Sequence, residues 1–129
     1  MKLFLSCFFA FSTAFCFSQN VKLKKKYLKN YKGNIPTYEI NYNNNLVKID
    51  ASEITIQLKK DSLYISVGSS IWSGIYSVAK TGKKTFEIIG KMNGSGISEV
   101  LKLNSRDKTI VRKGLFPQPD AELKWSKSN

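Results

Sequence analysis

Histidine is absent from the 129 residues of this chain, and its two cysteines, Cys7 and Cys16, both lie close to the N-terminus. Without an imidazole the chain has no Ser-His-Asp triad, no histidine general base and no zinc or iron site built on histidine. Acidic residues number nine against 21 lysines and arginines, and only Arg106 and Arg112 are arginine. We therefore expect a protein without catalytic residues, metal or cofactor.

The N-terminus has the pattern of a secretory signal peptide. Lys2 precedes an apolar run over residues 3–17, which is shorter than the ~20 residues that a transmembrane helix needs. Small residues before the bond predict cleavage after Ser18, so that residues 1–18 and both cysteines would be removed. The sequence therefore predicts an exported protein, periplasmic or extracellular, whose mature chain has neither disulfide nor thiol.

A lysine-rich leader, residues 19–33, follows the predicted signal peptide. Its lysines are Lys22, Lys24, Lys25, Lys26, Lys29 and Lys32, and its apolar side chains are Val21, Leu23, Tyr27, Leu28 and Tyr31. At helical spacing the apolar residues fall on one side and five of the six lysines on the other, which predicts a short amphipathic helix ended by Gly33. Either the apolar side packs on the folded domain and closes one end of it, or the lysines hold the helix on an anionic surface.

Residues 34–116 have the composition and spacing of an all-β domain. Isoleucine, valine, tyrosine and threonine form short stretches that turn residues interrupt about every eight to twelve positions. Apolar residues alternate with polar ones over 54–58 and again over 63–67, which predicts a hairpin with one buried face. Further strands are predicted at 37–41, 46–50, 72–79, 84–89, 99–103 and 108–113.

About eight short strands in sequence predict a small antiparallel meander that closes into a barrel or flattens into a sandwich, because closure removes exposed edges. The strand pattern resembles that of lipocalin-like barrels. However, Gly33 is followed by Asn34 and Ile35, whereas lipocalins have a G-x-W motif near the first strand, and no residue role is carried over. Residues 117–129 contain Pro117 and Pro119 and are predicted to form an extended C-terminal tail.

Four aromatic residues form the candidate ligand pocket, namely Trp72, Tyr76, Phe86 and Phe116. Aromatic rings at a barrel mouth suit a small apolar or amphipathic ligand, although the same residues would also serve as ordinary core. Three functions therefore stay open: a ligand-binding module, a protein that uses the leader lysines to bind membrane headgroups or acidic glycans, and an accessory subunit of an envelope complex. Sequence-specific nucleic-acid binding is not expected from an exported chain with two arginines.

Overall fold

The computed structural model describes residues 21–94, 96–115 and 117–126, within which the chain forms ten β-strands and one turn of 3-10 helix. The turn spans Lys25–Tyr27, and the strands are β1 Asn30–Ile35, β2 Tyr38–Tyr42, β3 Asn45–Ile49, β4 Ser52–Leu58, β5 Leu63–Val67, β6 Ser70–Lys80, β7 Thr85–Met92, β8 Ser98–Asn104, β9 Thr109–Arg112 and β10 Ala121–Ser126. Eight strands close into an antiparallel barrel in the order β1-β10-β9-β8-β7-β6-β5-β4, and β2 pairs with β3 in a separate hairpin. The prediction of an all-β meander is confirmed, and the meander closes as a barrel.

The barrel interior is filled by side chains that alternate along its strands. Ile54 and Ile56 of β4 are fully buried, whereas Thr55 and Gln57, which alternate with them, are partly exposed on the outer face. The buried apolar residues are Tyr31, Ile35, Ile54, Ile56, Leu58, Leu63, Ile65, Val78, Ile88, Met92, Leu101, Leu103, Ile110, Ala121 and Leu123. An eight-stranded barrel is just wide enough for such side chains to meet across its axis, so this interior is a packed core.

The predicted amphipathic helix is wrong for the part of the leader that the structure describes, residues 21–33. Only a 3-10 turn forms there, and Asn30–Ile35 is strand β1. Lysines three and four positions apart repel one another in a helix, whereas Tyr31 gains burial inside the barrel, where it is 2% exposed. Burying a large side chain contributes roughly 2 kcal/mol, more than the few tenths per residue that separate helix propensities. The predicted signal peptide of residues 1–18 lies outside the described residues.

The predicted C-terminal tail is also wrong where the structure describes it, because Ala121–Ser126 forms barrel strand β10. Strand β10 pairs with β1 on one side and with β9 on the other, and so closes the barrel. Ala121 and Leu123 are buried, and Glu122 and Lys124 are exposed, which is the alternation of an ordinary strand. The two prolines lie in the loop between β9, which ends at Arg112, and β10, and they do not prevent the new strand.

The segment that precedes β1 closes one end of the barrel. The backbone N–H of Val21 donates to the carbonyl of Val78 at 3.1 Å, and Leu58 N–H donates to the carbonyl of Lys29 at 3.1 Å. The side chains of Val21, Leu23, Tyr27 and Leu28 pack against the barrel core, while the six leader lysines are exposed. We call this end, together with the β4–β5, β6–β7 and β8–β9 loops, the basic end. Of the two arrangements that the sequence left open, the apolar side of the leader packs on the barrel.

The opposite end of the barrel, which we call the mouth, carries the β2–β3 hairpin. Its two-residue turn places Asn43 at φ 50° and Asn44 at φ 65°, a left-handed conformation that asparagine adopts more easily than most residues. Tyr38 and Ile40, near the base of the hairpin, line the mouth, whereas Tyr42 at its tip is 65% exposed. The hairpin therefore forms a wall beside the mouth and does not belong to the barrel sheet.

Tyr31 makes the stability of the barrel sensitive to alkaline pH. Its hydroxyl donates to the carbonyl of Tyr27 at 3.0 Å, and burial raises the pKa of the phenol to about 12 from its usual 10.0. The native state thus keeps the phenol neutral at a pH where the unfolded chain ionises it. We expect Tyr31 to add no pH dependence below pH 10 and to lower the free energy of unfolding between pH 10 and 12. The loss is roughly 1 to 2 kcal/mol, because the ring also lines an open cleft that screens part of the effect.

Urea unfolding of Tyr31→Phe over this pH range measures the contribution. Tyr42→Phe is the matched control, because that ring is 65% exposed at the hairpin tip. The Tyr31 variant should lose part of the alkaline fall in stability and the Tyr42 variant none. An identical pH dependence in wild type and Tyr31→Phe would contradict the buried neutral phenol.

Candidate functional site at the barrel mouth

A cavity of about 530 Å³ lies at the mouth between the β2–β3 hairpin and the ends of the barrel strands. Its apolar lining comes from Tyr38, Ile40, Trp72, Met92, Ile97, Leu115 and Pro117, and its polar lining from Glu99, Arg112 and Gln118. This volume falls within the ~300 to 1,000 Å³ that small-molecule sites occupy. A mostly apolar cavity with a few convergent polar groups is the usual composition of such a site.

Glu99 and Arg112 form a buried ion pair at this cavity, with side chains 5% and 4% exposed. Arg112 Nε donates to Glu99 Oε1 at 2.8 Å, and Nη2 donates to Oε2 at 3.2 Å, so that the guanidinium binds the carboxylate through both oxygens. Arg112 Nη1 donates to Gln118 Oε1 at 2.8 Å. Within the described parts of the chain these two are the only charged side chains that are buried. Every buried side-chain polar atom in these parts has a hydrogen-bond partner.

The strand alternation places both charges inside the barrel. Glu99 lies on β8 in phase with the buried Leu101 and Leu103, and Arg112 lies on β9 in phase with the buried Ile110. This pair was not identified from the sequence, because Glu99 and Arg112 were not considered as interior positions of their strands. The sequence could have shown it, because the alternation of apolar residues in two consecutive strands places one negative and one positive residue at buried positions.

The β9–β10 loop brings Gln118 to Arg112. The N–H of Gly114 donates to Asp120 Oδ1 at 2.9 Å, and the N–H of Gln118 donates to the carbonyl of Leu115 at 2.7 Å. A Cβ atom at position 114 would overlap the carbonyl oxygens of Gln118 and Pro119, so the tight return of this loop requires glycine there. The loop thereby forms part of the rim of the mouth.

The structure does not gather the four predicted pocket residues into one site. Trp72 is half-buried and lines the mouth. Tyr76 lies four residues further along β6, about 13 Å away, where its hydroxyl donates to the carbonyl of Lys59 and burial raises its pKa. Phe86 packs on Tyr27 at the basic end, with ring centroids 5.9 Å apart. Phe116 lies outside the described residues.

The leader lysines lie together with lysines from other parts of the chain. Lys22, Lys24, Lys25, Lys26 and Lys29 are exposed at the basic end, and Lys32 faces outward from β1 opposite Lys124 of β10. The loops of the same end contribute Lys59, Lys60, Lys83, Lys84 and Lys108. Sequence reasoning identified the leader lysines but not the loop lysines that fold beside them.

The outer face of the barrel also exposes apolar side chains. Ile71 and Ile75 of β6 are 72% and 63% exposed, and Ile89 of β7 is 38% exposed. The β6–β7 register places Ile75 diagonally next to Ile89. These residues form the kind of sheet surface that an accessory subunit would use.

Residues 21–94, 96–115 and 117–126 contain neither a membrane-spanning helix nor a metal-binding cluster of side chains. No helix in these ranges is long and apolar enough to cross a bilayer. No three side chains of histidine, cysteine, aspartate or glutamate in the same ranges lie close enough together to hold a metal ion.

The fold and the site define a small antiparallel β-barrel with a packed interior and an apolar mouth. No protein-family model, no curated protein and no solved structure matches the chain. The geometry of the mouth and of the basic end therefore carries the functional argument.

Proposed function

We propose that this protein is an exported, non-catalytic binding module that holds a small apolar or amphipathic molecule at the mouth of its barrel. The observation that carries the proposal is the largely apolar cavity with the buried pair of Glu99 and Arg112 at its floor. Because the interior is filled by side chains, the ligand would bind at the mouth and not along the barrel axis.

The polar floor suits the polar end of such a ligand. A guanidinium has five N–H donors, and Arg112 uses three of them on Glu99 and Gln118. The other two can donate to a carbonyl or hydroxyl of the ligand. A buried ion pair seldom stabilises a fold more than apolar residues of similar size would, which favours a functional reason for keeping this one.

The hairpin supplies an adjustable wall. A two-stranded hairpin is at most marginally stable by itself, so β2 and β3 can shift to fit different ligands. Trp72 on β6 supplies a fixed aromatic surface on the barrel side, where an apolar ring would gain contact area.

Binding of N-phenyl-1-naphthylamine, a fluorescent apolar probe without charge, tests the site. We expect Ile40→Asp to weaken binding by about tenfold or more, because a carboxylate in an apolar cavity costs at least ~1.4 kcal/mol. Ile75→Asp is the matched control, since Ile75 is 63% exposed on the outer face. The control should bind like wild type. Equal binding by both variants, or no binding by folded wild type, would contradict the proposal that the ligand binds at the mouth.

A further inference from the structure

The net charge of +12 is unevenly distributed over the molecule. The basic end combines lysines of the N-terminal segment with those of the β4–β5, β6–β7 and β8–β9 loops, and only Asp61 and Asp107 oppose them in these segments. The hairpin and the β9–β10 loop at the mouth, in contrast, carry Glu39, Asp50 and Asp120 against Lys48 and Lys113, so that positive charges there are balanced by negative ones. The basic end is therefore the part of the surface that attracts anions.

A cleft of about 230 Å³ opens within the basic end. Lys26 of the 3-10 turn, Lys84 of the β6–β7 loop and Lys108 of the β8–β9 loop line it, so that three segments distant in sequence each contribute one ammonium group. The rings of Tyr27 and Trp125 form its aromatic walls.

The aromatic walls position Lys26 and Lys108, two of the three cleft lysines. The Nζ of Lys108 lies 4.5 Å from the centroid of the Trp125 ring, and the Nζ of Lys29 lies 5.6 Å from the same centroid. The Nζ of Lys26 lies 5.1 Å from the centroid of the Tyr27 ring. Ammonium groups already positioned by aromatic rings lose less side-chain entropy when an anion binds.

Lys108 has an unusual backbone for its residue type. Its φ of 57° is in the left-handed region, where a residue with a Cβ is strained and glycine or asparagine is preferred. The carbonyl of Lys108 accepts a hydrogen bond from the N–H of Trp125 at 3.0 Å, which fixes the turn against β10. Strain retained at a lysine that lines a cleft indicates a function for the side chain.

The electrostatics of Tyr27 agree with a positive cleft. Its pKa is lowered, first by the polar side chain of Ser105 beside it; burial raises the pKa, and the ammonium groups of Lys26 and Lys24 lower it further. The same field favours any anion that enters the cleft.

We propose that the cleft of Lys26, Lys84 and Lys108 binds the phosphate group of an organic phosphate monoester. Three ammonium groups match a phosphate that carries about two negative charges at neutral pH better than they match a carboxylate with one. Lysine binds phosphate as a point charge, and the rings of Tyr27 and Trp125 provide contact for the organic part. A soluble sugar phosphate and the headgroup of a phosphatidic acid share this chemistry. The proposal is independent of the ligand site at the mouth.

Lys108→Asn tests the cleft without endangering the fold, because asparagine tolerates the left-handed backbone. The matched control is Lys60→Asn, which removes the same charge from the β4–β5 loop of the basic end, outside this cleft. Binding is measured by calorimetry with glucose 6-phosphate and by co-sedimentation with phosphatidylcholine vesicles that contain or lack phosphatidic acid. We expect Lys108→Asn to weaken binding about tenfold, and Lys60→Asn less than about twofold, because Lys108, unlike Lys60, makes a charge-assisted hydrogen bond to the phosphate in this cleft.

Each outcome has a definite meaning. Binding of glucose 6-phosphate with this variant dependence supports the proposal and makes the ligand soluble, whereas the same dependence only with phosphatidic acid supports it and makes the ligand a lipid. Equal weakening by both variants shows diffuse charge attraction and overturns the proposal, as does the absence of binding to both probes. The melting temperature of Lys108→Asn should equal or exceed that of wild type, and its binding of N-phenyl-1-naphthylamine should not change.

Discussion

Arg112→Met is expected to lower the free energy of unfolding by about 3 to 5 kcal/mol, a large part of the ~5 to 15 kcal/mol that a typical domain has. The substitution leaves the carboxylate of Glu99 buried without its bidentate partner, and it also removes the bond to Gln118 that holds the β9–β10 loop. Chemical denaturation followed by the fluorescence of Trp72 and Trp125 measures the change.

Two further variants distinguish the effect of breaking the buried ion pair from the effect of losing one positive charge. Lys113→Met removes a positive charge at the next position, which is exposed, and should change stability by less than ~0.5 kcal/mol. The double variant Glu99→Leu with Arg112→Met should recover much of the loss, because no unpaired charge remains buried. If Arg112→Met were as mild as Lys113→Met, the pair would not be buried as described.

Leu123→Asp is expected to unfold the protein, whereas Lys124→Asp at the next position is expected to leave it folded. Leu123 is fully buried on the inner face of β10, and Lys124 is exposed on its outer face. The aspartate at position 123 loses the packing of a leucine and buries a carboxylate without a partner, which together cost more than about 5 kcal/mol. Circular dichroism and size-exclusion chromatography of the two variants measure the outcome. A loosely docked tail would tolerate both substitutions, and that result would contradict a barrel closed by β10.

Local patterns in the sequence were sufficient to predict strands β2 to β9. The hairpin of β4 and β5 shows strict alternation on both sides of a short turn, so its buried face could be assigned from the sequence. Whether these strands and turns form is decided mainly by residues close together in the chain. The local residue types were therefore enough to predict them.

Strands β1 and β10 could not be predicted in the same way, because their structure depends on each other. They pair through Tyr31 and Trp125, which lie near opposite ends of the folded region. The leader has a helical arrangement of apolar residues, and burial of Tyr31 in a closed barrel outweighs that arrangement. Barrel closure is a long-range property, and a local pattern carries little information about it.

The candidate site was predicted only in part. Trp72 lies at the mouth, whereas Tyr76 and Phe86 lie toward the basic end, since strand length places residues of one face at different depths. The size of the mouth cavity depends on where the β2–β3 hairpin projects, which the hairpin sequence does not specify. The burial of Glu99 and Arg112 could have been predicted, because both alternate in step with buried apolar residues of their strands. Gln118, in contrast, reaches Arg112 only through the fold of its loop.

The two ends of the barrel thus differ in chemistry. The mouth is an apolar cavity with one compensated ion pair, and the basic end is a cationic surface with an aromatic cleft. We propose that an apolar molecule binds at one end of the barrel and a phosphate group at the other.

We propose that an apolar ligand binds at the mouth and nowhere along the packed interior, and the indole N–H groups of the two tryptophans distinguish one end of the barrel from the other. Trp72 lies at the mouth, and Trp125 lies at the basic end. In a proton–nitrogen correlation spectrum recorded during titration with N-phenyl-1-naphthylamine, the indole signal of Trp72 should shift with saturation and that of Trp125 should stay fixed. A shift of the Trp125 signal with Trp72 unchanged would contradict the claim, and so would a titration in which neither signal moves.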